Sequence, residues 1–305
     1  MATSSGAATE LDQAPAGGIA FERARRRRFA RWLIVAPFLA YVAAFLLIPT
    51  GEVVLQAFRT QSGAFSLGGM HLLTEPQTIS AFEETIKLSL ITAVAGGLLG
   101  LFVAQATLRR GMPGWLRPVL TTFSGVASNF AGVPLAFAFI ATIGSTGVVT
   151  IWFKHLGLDL YSHGFTIYGL LGLSLTYVYF QFPLMILIIL PALEGIRREW
   201  REAATSLGAT PFQFWRHVGF PLLLPSMLGA VVLLFGNAFS AYATPYALSS
   251  GYINLVPVQI GEFLNGDLAS EPQLGDALAF GMIVVIGVAV AIYALLQRRT
   301  ARWLR

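Results

Sequence analysis

"REWREAATSLGATPFQFWRHVGFPLLLP", residues 198–225, is a charged, Gly- and Pro-punctuated segment set between two long hydrophobic runs. Its spacing predicts two short helices. The first covers about residues 196–207. Ile196, Trp200, Ala203, Ala204 and Leu207 recur at helical spacing and form one apolar stripe, and Arg197, Arg198, Glu199, Arg201 and Glu202 take the other positions. Gly208 suits the left-handed position that ends a helix. Thr210, Pro211 and Gln213 then give a cap, a first-turn proline and a capping-box partner. Phe212 and Trp215 are expected on one face of this second helix, and Pro221 and Pro225 mark entry into the next apolar run. Two readings stay open for so stiff a segment. One is a docking surface for a partner protein. The other is an amphipathic helix lying on lipid headgroups, with Arg198 and Glu202 an i,i+4 pair worth about 0.3–0.5 kcal/mol.

The surroundings fix where the segment sits. The chain has 305 residues, 55% of them hydrophobic and 11% charged. A water-soluble domain carries about 25% charged residues. The balance is that of an all-α integral membrane protein. Six runs are long enough to cross a bilayer as helices, at about 32–49, 85–108, 119–142, 166–192, 222–247 and 277–297. A β-barrel would alternate apolar and polar positions, and "LSLITAVAGGLLGLFVAQA", residues 88–106, does not. The chain has no cysteine. That excludes thiolate chemistry and Cys-ligated metal.

Basic residues give the orientation. Seventeen of the 20 lie in the N-terminal tail, in the 109–118 loop, in the 193–221 loop or in the C-terminal tail. Arg59, Lys87 and Lys154 are the others. Cytoplasmic loops are enriched in Lys and Arg. Both termini are therefore expected in the cytoplasm, and an even span count agrees, since it requires them to share a side. The layout is a tail over 1–31 expected to be disordered, a six-helix domain over 32–297 with its longest cytoplasmic loop at 193–221, and a short tail over 298–305. The Arg run at 25–28 directly precedes a span. It is a topology anchor, and no nucleic-acid partner is expected from it.

The loop resembles the motif of permease subunits of binding-protein-dependent ABC importers, of the type I fold. That pattern is Glu-Ala-Ala, three residues, Gly, nine residues, then Ile-x-Leu-Pro. Here Glu202-Ala203-Ala204, Gly208 and Val218-Gly219-Phe220-Pro221 stand at that spacing, with Val for Ile and Phe for Leu. Within the family the chain is most similar to the spermidine/putrescine-type group, which also includes importers of iron, sulfate, thiamine and aminoethylphosphonate. The resemblance implies a subunit of the bacterial cytoplasmic membrane that performs no covalent chemistry. It implies two cytoplasmic ATPase subunits carrying ATP and Mg, a second permease subunit (a similar chain or its own copy), and an extracytoplasmic solute-binding protein. Contact with the ATPase would fall on Glu202, Ala203, Ala204 and Gly208, with Arg198, Trp200, Phe212, Trp215 and Pro221 beside them.

The residues agree on what is missing. A phosphate-binding loop needs Gly-Lys-Ser/Thr, yet Lys87 follows Ile86 and Lys154 follows Phe153. No cofactor or metal is expected on this chain. The alternative class is a self-contained secondary transporter or channel. Such carriers hold ionisable groups inside the membrane, and the interiors of these spans carry no Asp, Glu, Arg or His. Polar residues at mid-depth mark either a pathway or interhelical hydrogen bonds. They are Asn129 in the third span, Tyr177, Tyr179 and Gln181 in the fourth, and Asn237, Ser240 and Tyr242 in the fifth. Gly132, Pro134, Pro183, Pro225, Gly236 and Pro245 interrupt the same spans. The outer acids Glu262, Asp267, Glu271 and Asp276 would suit a cationic solute or the docking of a binding protein.

Overall fold

A computed structural model describes residues 35–59, 63–108, 112–249, 252–265 and 272–301. The tail over 1–31, Arg109, Arg110, Asp267, Glu271, Arg302 and Arg305 lie outside the described residues. Among those described, regular structure is all helical, apart from one bridge between Arg59 and Phe65. Among the described residues, six stretches are long and apolar enough to cross a membrane: Val35–Gln56, Pro76–Thr107, Val133–His155, Leu170–Glu194, Pro211–Phe239 and Leu274–Arg299.

The chain divides into two compact units, residues 1–53 and 54–305. The first helix, α1 (Val35–Gln56), buries no side chain. Phe38, Tyr41, Phe45 and Ile48 all stand exposed on it. A helix apolar all round belongs in lipid or against another protein surface.

In the larger unit, α2 (Pro76–Thr107) starts well before the expected position 85. Pro76 fits the first helical turn, where its missing N–H is not needed. The solvated pair of Lys87 with Glu83, at 2.7 Å, supports the added turns. Further along, Thr85, Ser89, Thr92, Gly96 and Gly100 lie on its buried face. The hydroxyls of Thr85, Ser89 and Thr92 return to backbone carbonyls one turn back, at 2.6–2.8 Å. No polar atom in this row is left to lipid.

The small residues let a second helix, Leu170–Glu194, come close. A Cβ on Gly100 would lie 2.5 Å from the Phe182 carbonyl oxygen and from the Met185 Cβ. At the same crossing the Gln181 Nε2 donates to the Thr92 Oγ1 at 2.7 Å.

The expected third span, 119–142, is not one helix. It divides into α3 (Leu116–Asn129) and α4 (Val133–Ile143), and a further short helix, α5 (Val148–His155), follows. The break is local chemistry: Gly132 has φ 75°, a left-handed value, and Pro134 cannot donate to a preceding turn. We label Leu170–Glu194 α6. α3 runs antiparallel to it. Arg117 at the start of α3 pairs with Glu194 at the end of α6, and Phe130 reaches Tyr179 with ring centroids 6.4 Å apart. After α6 comes the short helix α7 (Arg198–Ser206), then α8 (Pro211–Phe239).

The fifth span also differs from its expected 222–247. It begins at Pro211, passes through a π-turn at Trp215–Gly219, and stops at Phe239. Short helices α9 (Ala243–Ser249) and α10 (Val256–Asn265) follow, and α11 (Pro272–Ala301) closes the described chain.

Candidate functional site

The loop holds the geometry its residues call for. α7 starts at Arg198 rather than Ile196, because Arg197 keeps an extended backbone and Ile196 packs into the core around Ile189 and Leu193. Its end is a Schellman turn. Gly208, at φ 80°, donates to the Thr205 carbonyl at 2.9 Å, and Ala209 donates to the Ala204 carbonyl at 2.9 Å. Two residues on, the capping box is complete: the Gln213 N–H donates to the Thr210 Oγ1 at 3.3 Å, and the Thr210 N–H donates to the Gln213 Oε1 at 2.8 Å. The loop is therefore a bracket of two capped helices.

Its second arm is not the single face expected. Phe212 is 72% exposed, whereas Trp215 turns inward beside the buried Phe214. The Trp215 ring lies so close to Gly219 that a Cβ there would meet it at 2.5 Å. Arg201 of the first arm stacks over both Phe214 and Trp215, with its guanidinium carbon 5.5 and 5.9 Å from the ring centroids. That contact and the anchor at Ile196 tie the bracket to the membrane domain. Sequence reasoning missed Phe214 and Arg201, since only tertiary packing distinguishes them from their neighbours.

α7 has two unlike faces. Arg198, Arg201, Glu202 and Thr205 border a cavity of about 1080 Å³. Trp200, Ala203, Ala204 and Leu207 border a groove of about 900 Å³, continued by Val218, Phe220 and Pro221. The Glu202 carboxylate accepts from the Arg198 Nε at 2.8 Å and stays largely exposed. Exposed Leu207 and Phe212 project at the tip.

The mid-depth polar residues fall into three groups. Tyr177 and Gln181 are buried between helices. The Tyr177 hydroxyl faces the Ala241 carbonyl at a long 3.5 Å, and the Gln181 Oε1 has no partner. Tyr179 is half-buried against Phe130 and Phe139. Asn129, Asn237, Ser240 and Tyr242 reach the surface. The two broken spans meet here: the Gly132 N–H donates to the Thr244 Oγ1 at 2.8 Å. Backbone freed by a helix break inside a membrane has to be satisfied by a neighbour, and Thr244 supplies one partner. Sequence spacing gave no sign of that contact, which joins positions 112 residues apart.

Helices long and apolar enough to cross a membrane, two of them interrupted where Gly132 meets Thr244, and a stiff capped bracket define a polytopic membrane protein. The chain belongs to the family described as binding-protein-dependent transport system inner membrane component, whose model matches residues 96–305. It is an inner-membrane permease component of the ABC importer class, with the type I permease fold. It is 26% identical over 252 residues to a probable sulfate transport system permease protein cysT of Nephroselmis olivacea, covering 81% of this chain and 82% of that one. It is 29% identical over 161 residues to the thiamine transport system permease protein ThiP of Escherichia coli K12, covering 53% of this chain and 29% of that one. Its fold matches a chain from a bacterial ABC transporter involved in alginate import, with a TM-score of 0.71, 18% identity, and coverage of 92% of this chain and 99% of that one. These names are a sulfate, a thiamine and an alginate system. Sulfate and thiamine are two of the solutes of the group expected from the sequence, and the spermidine/putrescine assignment itself is not supported.

Proposed function

We propose that this chain forms one half of the translocation pathway of an ABC importer and that its bracket couples the pathway to an ATPase. The observation that carries this reading is the capped bracket itself, with Glu202, Ala203, Gly208 and Phe212 exposed on its surface and Ala204 half-buried beside them. Two ATPase subunits with ATP and Mg dock from the cytoplasm. A second permease subunit completes the pore, and a binding protein delivers solute from outside. The chain carries no catalytic residue; its work is a change between two states that its partners bind unequally. Asn129, Asn237, Ser240 and Tyr242 line the path near the paired helix breaks, with Tyr177, Tyr179 and Gln181 behind them.

The solute is a small oxyanion of the sulfate kind. The sulfate permease among the relatives supports this, and so does the chemistry of the breaks. α3, α4, α8 and α9 contain no Asp or Glu, so a polyamine would meet no counter-charge there. Asn129, which gives one amide hydrogen to the Gly125 carbonyl and has a second, and Asn237 and Tyr242 bear N–H or O–H groups that can serve an oxyanion.

Glu202→Lys tests the coupling role. It removes only an exposed pair within this chain, so insertion and thermal stability should stay near wild type. Co-purification of the ATPase and solute uptake should fall sharply; wild-type uptake would refute the role. Labelled sulfate, thiamine and putrescine, given in parallel to cells with and without the chain, test the solute. Uptake of putrescine alone would overturn the oxyanion reading and leave the coupling reading standing.

A further inference from the structure

The cavity above the bracket has a use beyond coupling. Its walls come from the last turn of α2, the first turn of α3, the end of α6 and the polar face of α7. The ends of α2 and α6 are also the ends of two stretches long and apolar enough to cross a membrane, and the ends of such stretches belong at headgroup depth. Arg117, Arg197, Arg198 and Arg201 line it, against two carboxylates, Glu194 and Glu202. Arg117 pairs with Glu194 and Arg198 with Glu202. Arg197 and Arg201 have no carboxylate at ion-pair distance among the described residues. They are held instead over aromatic rings, Arg197 at 5.8 Å from the Trp200 centroid and Arg201 over Phe214 and Trp215. The buried Phe214 fixes the platform under Arg201.

The charge also runs against the local dipole. A helix N-terminus disfavours cations, yet α7 opens on Arg197 and Arg198, with one acid, Glu199, in its first turn and no side-chain cap. An anion in the cavity would meet both guanidiniums and offset that arrangement.

We propose that this cavity binds the phosphate-bearing headgroup of an anionic phospholipid of the inner leaflet, with Arg197 and Arg201 as its ligands. Basic pockets between helices on the cytoplasmic side suit such headgroups, and apolar walls beside these arginines suit acyl chains. The lipid then braces the bracket against the ends of the spans, and coupling depends on lipid charge.

The test uses the assembled transporter in bilayer discs of phosphatidylcholine with added phosphatidylglycerol, with retained lipid read by native mass spectrometry. Each lost arginine facing an anionic lipid should lower phosphatidylglycerol retention about fivefold. The double variant Arg197→Gln/Arg201→Gln should therefore lose it, while the double lysine variant and Arg216→Gln, outside the cavity, should keep it. ATPase co-purification should stay unchanged in the double lysine variant and in Arg216→Gln. Unchanged lipid retention in the double glutamine variant overturns the proposal. So does displacement of the lipid by inorganic phosphate or sulfate, which would make the site one for aqueous anions. Loss of the ATPase with lipid retained would assign the cavity to the ATPase and also overturn it. Failure of Glu202→Lys to disturb docking would refute the coupling reading without touching this one.

Discussion

Gly208 gives the most quantitative perturbation of the bracket. Its φ of 80° lies in the left-handed region, and a Cβ built there would meet nothing within 4 Å. A substitution therefore introduces no clash with the rest of the fold; its cost is torsional. A non-glycine residue in that region costs about 1–2 kcal/mol, toward the upper figure for a β-branched side chain and least for Asn. About 1 kcal/mol shifts a two-state population roughly fivefold. The expected order of coupling is Gly, then Asn, then Ala, then Val, with Gly208→Val several-fold worse than Gly208→Ala. The assay is the ATPase activity of the assembled transporter in proteoliposomes, normalised to the permease present in the membrane. Equal activity of the Ala and Val variants would refute the reasoning, because the two differ only in how they resist this backbone. Full activity of Gly208→Val would show that the turn does not need the left-handed position in the working complex.

Other substitutions test the membrane domain. Gly100→Ala should destabilise the chain by about 1–3 kcal/mol, because the new Cβ would meet the Phe182 carbonyl and Met185; thermal unfolding of the full chain in detergent measures this, and an unchanged midpoint would contradict the close crossing. Gln181→Leu removes one hydrogen bond to Thr92 together with the unpartnered Oε1. Interhelical bonds of this kind average about 0.6 kcal/mol, so stability should barely move; a large loss of uptake at unchanged stability would make Gln181 a pathway residue rather than a strut between helices.

What the sequence showed and what it hid follow from the range of each interaction. The Schellman turn at Gly208 and the box between Thr210 and Gln213 were legible because every partner lies within a few positions. The six spans were legible because their apolar length is a local property. The inward turn of Trp215 was not, since it depends on Gly219 and on Arg201 of the other arm. Gly132 and Pro134 showed that the third span is interrupted. They did not show that the break would be met by Thr244, from a second break far along the chain. The start of α2 at Pro76 was hidden by Glu83, Glu84 and Lys87, whose charges satisfy one another on a solvated helix end. The cationic-solute reading came from acidic outer residues, and the helices that meet at the breaks carry no Asp or Glu.

The central claim is that the bracket seats in an ATPase, and the chain is well suited to a direct test because it contains no cysteine. Single cysteines at Ala203, at Phe212 and, as a control on a distant loop, at Leu158 can be labelled with a maleimide in membranes with and without the cognate ATPase subunit. The account predicts that the ATPase shields positions 203 and 212 and leaves 158 reactive. Equal labelling of positions 203 and 212 in both membranes would contradict it.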